Sequence, residues 1–384
     1  MSERPGALTQ EFAPDVDTLE PGLPAPARGP RLATMTRGQW GWLAAGVVLV
    51  AWSTWAFIDN PTLFVALFGA GVAKGAVVSL AAIGFLMIQK ATGIANFAQG
   101  DLITLGAYLA FWATDQAGLA ENGLSLSLGA GFLVALALMF VIGIAIERVA
   151  YAPLRGRDIH VVVIATLGVA VIIRTLLALW QGTNPRFLQS WFNPGGDLAN
   201  FGLFENGVLR INIGPLGVDD AVISAQRVVV IVVTGVVVVA TMLLFSRTSF
   251  GRQVRAIAAD RETARLYGVR ANRLSMLAFG ISAVLAGLAG ILIGPLGSFD
   301  ITLGFTYMLL GFAAAVLGGF GSIGGVVVGA LMIGLTEELL GGQLIPMVVG
   351  EEALRYRGAL PYVLMLVVIA IKPQGLFGGT GRRL

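Results

Sequence analysis

The sequence predicts an all-α protein: a polytopic transmembrane helix bundle of about ten spans. Three observations predict it. Of 384 residues, 56% are hydrophobic and only 12% are charged, half the roughly 25% usual in a soluble domain. From Leu274 to Thr336 the one charged residue is Asp300, a run longer than the ~20 apolar residues that cross a ~30 Å hydrocarbon core once. The basic residues gather between apolar segments, as the positive-inside rule places them. The net charge of +3 therefore points to a membrane and not to nucleic acid.

Residues 1–36, rich in Pro, Gly, Ala and acids, read as a disordered cytoplasmic tail, and no cleavable signal peptide opens the chain. Apolar segments follow at about 40–58, 63–89, 94–114, 126–146, 161–180, 227–246, 274–296, 305–317, 326–340 and 359–371. The first belongs to an extra N-terminal helix, 37–62, whose Trp40, Trp42, Trp52 and Trp55 suit an interfacial aromatic belt. Residues 63–378 form the transmembrane domain proper, with 379–384 as a C-terminal tail. Within it, 181–226 carries Pro, Asn, Gly and aromatics and reads as a folded periplasmic loop. Near 305–340 two short segments flank the glycine-dense Gly318–Gly325. They are either two full spans or a pair of half-helices, since non-helical backbone at membrane depth is tolerated when protein surrounds it. Small-residue spacings such as Gly71/Gly75, Gly287/Gly290/Gly294 and Gly325/Gly329 supply the close helix packing that lipid does not drive.

Orientation follows from the basic residues. With the N-terminus inside, the cytoplasmic segments hold 18 of the 25 Lys and Arg, so both termini are expected in the cytoplasm and the number of crossings even. A bacterial inner, or plasma, membrane is the expected location. Cysteine is absent and His160 is the only histidine, which excludes disulfides, thiolate chemistry and His-rich metal sites. No nucleophile–base pair is visible, so an enzyme is not expected.

The connection 247–273 is the largest cytoplasmic one and holds seven arginines. Its Ala, Ile and Leu recur at helical spacing over Val254–Leu266. Gly268 is placed to stop that helix in the left-handed conformation, and Asn272 to cap a restart. One reading is a basic loop with surface helicity. The other is a docking element whose small residues Ala258, Ala259 and Ala264 fit a groove on a soluble partner. That partner would have to supply energy, because the chain has no GxxxxGK[ST] phosphate loop.

Ionisable groups at membrane depth cost about 2.5–3.5 kcal/mol or more and mark candidate sites. Lys74 lies ~16 Å into its span; it either lines a path and attracts a carboxylate or pairs with one to close a gap. Asn96, Gln99 and Asp101 fall near the cytoplasmic end of the third span, with Asn96 and Gln99 on one helix face. Their amides suit a zwitterion, and equally suit inter-helix hydrogen bonds. Arg174 is expected to snorkel outward, and Glu147 to form an ion-pair brace beside Arg148. Glu337 and Glu338 either face outward to a partner or are solvated.

Six segments in order resemble the branched-chain amino acid ABC permeases of LivH type. They are GVAKG at Gly71–Gly75, GIANFAQGD at Gly93–Asp101, ERVAYAPLR at Glu147–Arg155, AADRETARLYG at Ala258–Gly268, AAVLGGFGSIGG at Ala314–Gly325 and KPQGLFG at Lys372–Gly378. The resemblance implies a permease subunit of an importer for branched-chain amino acids or related small polar solutes. It implies two cytoplasmic ATPase subunits that bind ATP and Mg, a second and different permease, and a periplasmic solute-binding protein. Ala258, Ala259, Asp260, Ala264 and Gly268 would form the ATPase coupling loop, and Lys74, Asn96, Gln99 and Asp101 the substrate path. No cofactor is expected in this chain itself. The tail and first span are additions to the family pattern. Gln99 and Asp101 stand where His and Glu are common, and Lys74 where an apolar residue is usual. The competing reading is a secondary transporter or channel driven by an ion gradient, whose broken helix would be the glycine-dense turn.

Overall fold

The computed structural model describes residues 51–116, 124–189, 200, 203–213 and 218–377. The expected tails at 1–36 and 379–384, and most of the Trp-rich first span, lie outside those residues.

Helix α1 (described at 51–59) hands over at Asn60, whose side chain accepts from the Leu63 amide while Pro61 opens α2 (Pro61–Thr92). Proline belongs at a first helical position because its missing N–H has no partner to lose. Helix α2 ends where Gly93 turns left-handed at φ +83°. It is the central rod, buried on every face from Gly75 to Ile88. It is followed by α3 (Gln99–Phe111), α4 (Leu124–Ile146), α5 (Ile159–Gln181) and α6 (Ala225–Arg247), of which α6 packs on α2 itself while α5 lies against α3. Helices α7 (Ser249–Ala259) and α8 (Arg261–Leu266) form a small knob before α9 (Ala271–Ile293), α10 (Leu303–Gly318), α11 (Ile323–Leu335), α12 (Ile345–Val349) and α13 (Leu360–Ile371).

Seven helices among the described residues are long and apolar enough to cross a membrane, α2 and the rod Ile323–Val349 among them. The peripheral rods bury one stripe each. In α5 that stripe is Val162, Thr166, Ala170, Ile173 and Leu177, the three-to-four spacing of a single helix face. Val171, Ile172 and Leu176 point outward and stay exposed, as a lipid-facing surface requires.

Several boundaries differ from the expectation. The third segment does not begin as a helix at 94. Residues 93–98 are non-helical, and α3 starts only at Gln99, so Asn96 and Gln99 do not share a helix face. Of the two glycine-flanked segments, α10 is short at 16 residues, while α11 continues through a π-helical stretch, Thr336–Leu344, into α12. The turn between them is sealed by the C-terminal segment, where the Leu376 amide donates to the Leu317 carbonyl at 2.7 Å. The 181–226 loop contains a three-stranded antiparallel sheet, an addition to the all-α bundle: β1 (Phe204–Glu205), β2 (Val208–Ile213) and β3 (Val218–Ser224). Its first hairpin turns at Asn206 and Gly207, both with positive φ, the Asn-Gly pattern that matches strand twist. Ile223 of β3 packs against Gly69 of α2, so the sheet marks one end of the bundle and the knob the other.

The knob also differs from its expectation. One helix over Val254–Leu266 is replaced by two, broken at Asp260, whose side chain accepts from the Glu262 and Thr263 amides to cap α8. Helix α9 begins at Ala271 with Arg270 before it and no side-chain cap, so Asn272 is not the cap. Asp260 wins because a carboxylate reaching two amides of the next turn satisfies orphan donors that a continuous helix would leave to the backbone. Gly268 adopts φ +83° as expected.

Candidate functional site

Three groups of side chains carry the chemistry. The first surrounds the start of α3. Gly93–Ala98 leaves the knob end of α2 and runs back into the bundle, placing Gln99 beside Gly84, where a Cβ would collide with the Gln99 amide. Gly84 lies ~12 Å up α2 from its knob end, and Ser282 ~16 Å into α9. The motif therefore sits deep in the bundle, not at its inner rim. Gln99 Nε2 donates to the Ser282 carbonyl at 3.3 Å, and Ser282 Oγ lies 2.9 Å from both the Gly84 carbonyl and Gln99 Oε1, either of which accepts its proton. Asn96 accepts from the Ala98 amide at 3.1 Å. Its buried Nδ2 has no partner among the described residues and borders a cavity of about 10 Å³ with Tyr151, Thr166 and Phe279, room for roughly one water.

One residue on from Gln99, α3 and α10 touch backbone to backbone at Gly100 and Gly304, and the Gly304 amide donates to Thr104 Oγ1 at 2.8 Å. That crossing turns Asp101 toward α5. Arg174 donates from Nε to Asp101 Oδ1 at 3.0 Å and from Nη2 to Oδ2 at 3.3 Å, and its guanidinium lies 5.6 Å from the centre of the Phe305 ring. Arg174 is thus held by Asp101 and does not snorkel outward.

The second group surrounds Lys74. Its ammonium is 2.6 Å from Glu337 and 3.5 Å from Glu338, and Arg357 reaches Glu338 at 3.2 Å. Both glutamates are buried, so neither is solvated. Lys74 stands ten residues along α2 from Gly84, ~15 Å away, so it does not join Asn96, Gln99 and Asp101. Glu147 is also paired, but with Arg155 in place of its neighbour Arg148.

The third group is the knob. Phe250 packs edge-on to Phe245, Val254 and Ile257 are buried, and Arg255 donates to the Phe245 carbonyl. Ala258, Ala259, Asp260 and Gly268 are exposed. Ala264 is buried, so it faces inward and offers nothing to a groove. Leu266 and Tyr267 are 88% and 85% exposed at the tip, large apolar groups that attention to small residues passed over. Hydrogen bonds from the Thr263 hydroxyl and amide hold the Asp260 carboxyl below the usual range, keeping the cap charged. Sequence reasoning also missed Ser282 and Phe305; a serine inside an otherwise apolar span was the available signal.

The family model described as the branched-chain amino acid transport system permease component matches residues 67–369. The chain belongs to that family. It is similar to the high-affinity branched-chain amino acid transport permease BraD of Pseudomonas aeruginosa, 31% identical over 310 residues, covering 80% of this chain and 94% of the relative. It is similar to LivH of Escherichia coli at 30% over 315 residues, covering 80% and 93%. The probable LivH of Methanocaldococcus jannaschii is 23% identical over 310 residues, covering 79% and 90%. This permease is a multi-pass inner-membrane protein, and the family match begins within α2, leaving α1 outside it.

Proposed function

We propose that this permease carries branched-chain amino acids inward as one half of the membrane core of an ABC importer. The observation that carries the reading is the knob. It is a rigid two-helix element clamped to α6, with Ala258, Ala259, Asp260, Leu266 and Tyr267 turned outward, on a chain that lacks its own phosphate loop. Two ATPase subunits, binding ATP and Mg, grip this knob and its counterpart on a second, related permease. A periplasmic binding protein delivers the amino acid at the sheet end. The ATPases bind the outward- and inward-facing states with different affinity, which is what drives alternating access. Both termini are then cytoplasmic, with the knob inside and the sheet outside.

The test is co-purification from mild detergent of the four-part complex. Ala259→Arg, Leu266→Glu and Gly268→Pro are each expected to cut ATPase recovery at least tenfold. Ala264→Arg is a poor probe, because a buried alanine replaced by arginine disturbs the fold itself. Leucine uptake by the chain without any ATPase, driven by a proton or sodium gradient, would refute the reading.

A further inference from the structure

Resting on that reading, we propose that the free edge of the Arg174 guanidinium, beside the Phe305 ring, is a carboxylate-binding subsite of the transport path, taking the α-carboxylate of a zwitterionic aliphatic amino acid. Arg174 lies seven residues before the end of α5, ~10 Å below the sheet end. An arginine that merely tolerates this depth reaches for the nearer water. This one turns to Asp101, whose side chain is only 3% exposed, and is fixed there.

The geometry of the fork leaves a second seat. Guanidinium offers five N–H donors in one plane. Asp101 takes the Nε edge through Nε and Nη2, so its two oxygens leave the Nη1 side of the fork untouched. The arginine side chain stays 33% exposed, as does 47% of Phe305. An ion pair with that much surface does not sit well against hydrocarbon; such groups face the bundle interior or a water-filled cavity. Lys74 is the contrast, closed by Glu337 and Glu338 inside the chain.

The arrangement also suits a carrier. Asp101 already neutralises Arg174, so a zwitterion arrives and departs without stranding net charge at depth. A guanidinium shared between two carboxylates holds the second less tightly than a bare one, which lets the ligand leave. Phe305 lies over the cation, fixing its plane and offering an apolar surface beside the carboxylate seat for an aliphatic side chain.

The assay is equilibrium binding of tritiated L-leucine to the purified four-part complex stripped of binding protein, with uptake by the complete system in parallel. Leucinamide, which lacks the carboxylate, and 4-methylpentanoate, which lacks the ammonium, serve as competitors. In the wild type 4-methylpentanoate is expected to compete and leucinamide to fail. Arg174→Gln should weaken leucine binding about tenfold or more, and Arg174→Lys, which keeps the charge but loses the fork, should weaken it less. Arg174→Gln leaves Asp101 buried and unpaired, so Asp101→Asn/Arg174→Gln is the second variant: assembled normally, without the leucine subsite. Leucine binding within twofold of wild type in either variant overturns the inference. So does loss of the second permease subunit from both, which would make this face a protein contact. If the wild-type system takes up no leucine, the functional reading falls and this inference with it. Normal uptake with unchanged Arg174→Gln binding sinks this inference alone.

Discussion

At Lys74 the ammonium sits thirteen residues into α2, ~20 Å from its sheet end, with Glu337 and Glu338 answering it. The sequence exposes the lysine and hides the answer, because the partner is 263 residues away and no periodicity joins them. The same blindness applies to Arg174 and Asp101, each visible as a charge in an apolar run and neither visible as a pair. The pairing changes what substitution does. Lys74→Met leaves Glu337 buried without its cation, which typically costs about 3–5 kcal/mol, whereas removing both charges of a buried pair is often near neutral. The expected outcome is a clear drop in the thermal midpoint of detergent-solubilised Lys74→Met, and recovery of most of it in Lys74→Met/Glu337→Gln, where Glu338 keeps Arg357. A double variant no more stable than the single one would show that the pair is not what Lys74 contributes.

Helix positions follow from apolar length, and nearly every rod was legible because membrane depth fixes how long such a run must be. What escaped were the three-stranded sheet of the 181–226 loop and departures from regular helix, among them the non-helical Gly93–Ala98, the π-helical Thr336–Leu344 and the break at Asp260. Each is decided by tertiary hydrogen bonds or by one local cap, which spacing does not encode. The glycines divide in the same way. Gly75 and Gly168 look alike in sequence, both inside apolar helices. A Cβ on Gly75 would stand 2.8 Å from the Leu331 Cα and 2.9 Å from the Ala330 carbonyl, whereas one on Gly168 meets nothing within 4 Å. Those Gly75 contacts are backbone, so α2 and α11 would have to part. Gly75→Ala is expected to destabilise by about 1–3 kcal/mol, the usual cost of overpacking. Gly168→Ala should be neutral or stabilising by up to about 1 kcal/mol, from helix propensity alone. Thermal unfolding of the two variants side by side checks this, and equal effects would mean that the close α2–α11 approach does not matter.

Over the whole molecule, the knob and the sheet occupy opposite ends of α2: Ile223 meets Gly69 near the start of the helix, and Lys90, near its finish, lies within electrostatic reach of Arg255 on α7, which packs against α2. The energy-coupling proposal needs the knob in the cytoplasm and the sheet outside, and the basic residues agree, since seven arginines lie in 247–273. The chain itself offers the means of checking, because it contains no cysteine and every thiol introduced is a unique label. Exposed Ala258 on the knob and exposed Arg210 in β2 are suitable sites, one at each end and neither within the Arg174 group. In intact cells with the outer membrane permeabilised, a membrane-impermeant maleimide should label Arg210→Cys and leave Ala258→Cys unmodified until the inner membrane is opened. Labelling of Ala258→Cys before that point would put the knob on the wrong side for any ATPase. The Arg174 seat would then open toward the cytoplasm, where a carboxylate-binding group would meet its amino acid on exit and not on entry.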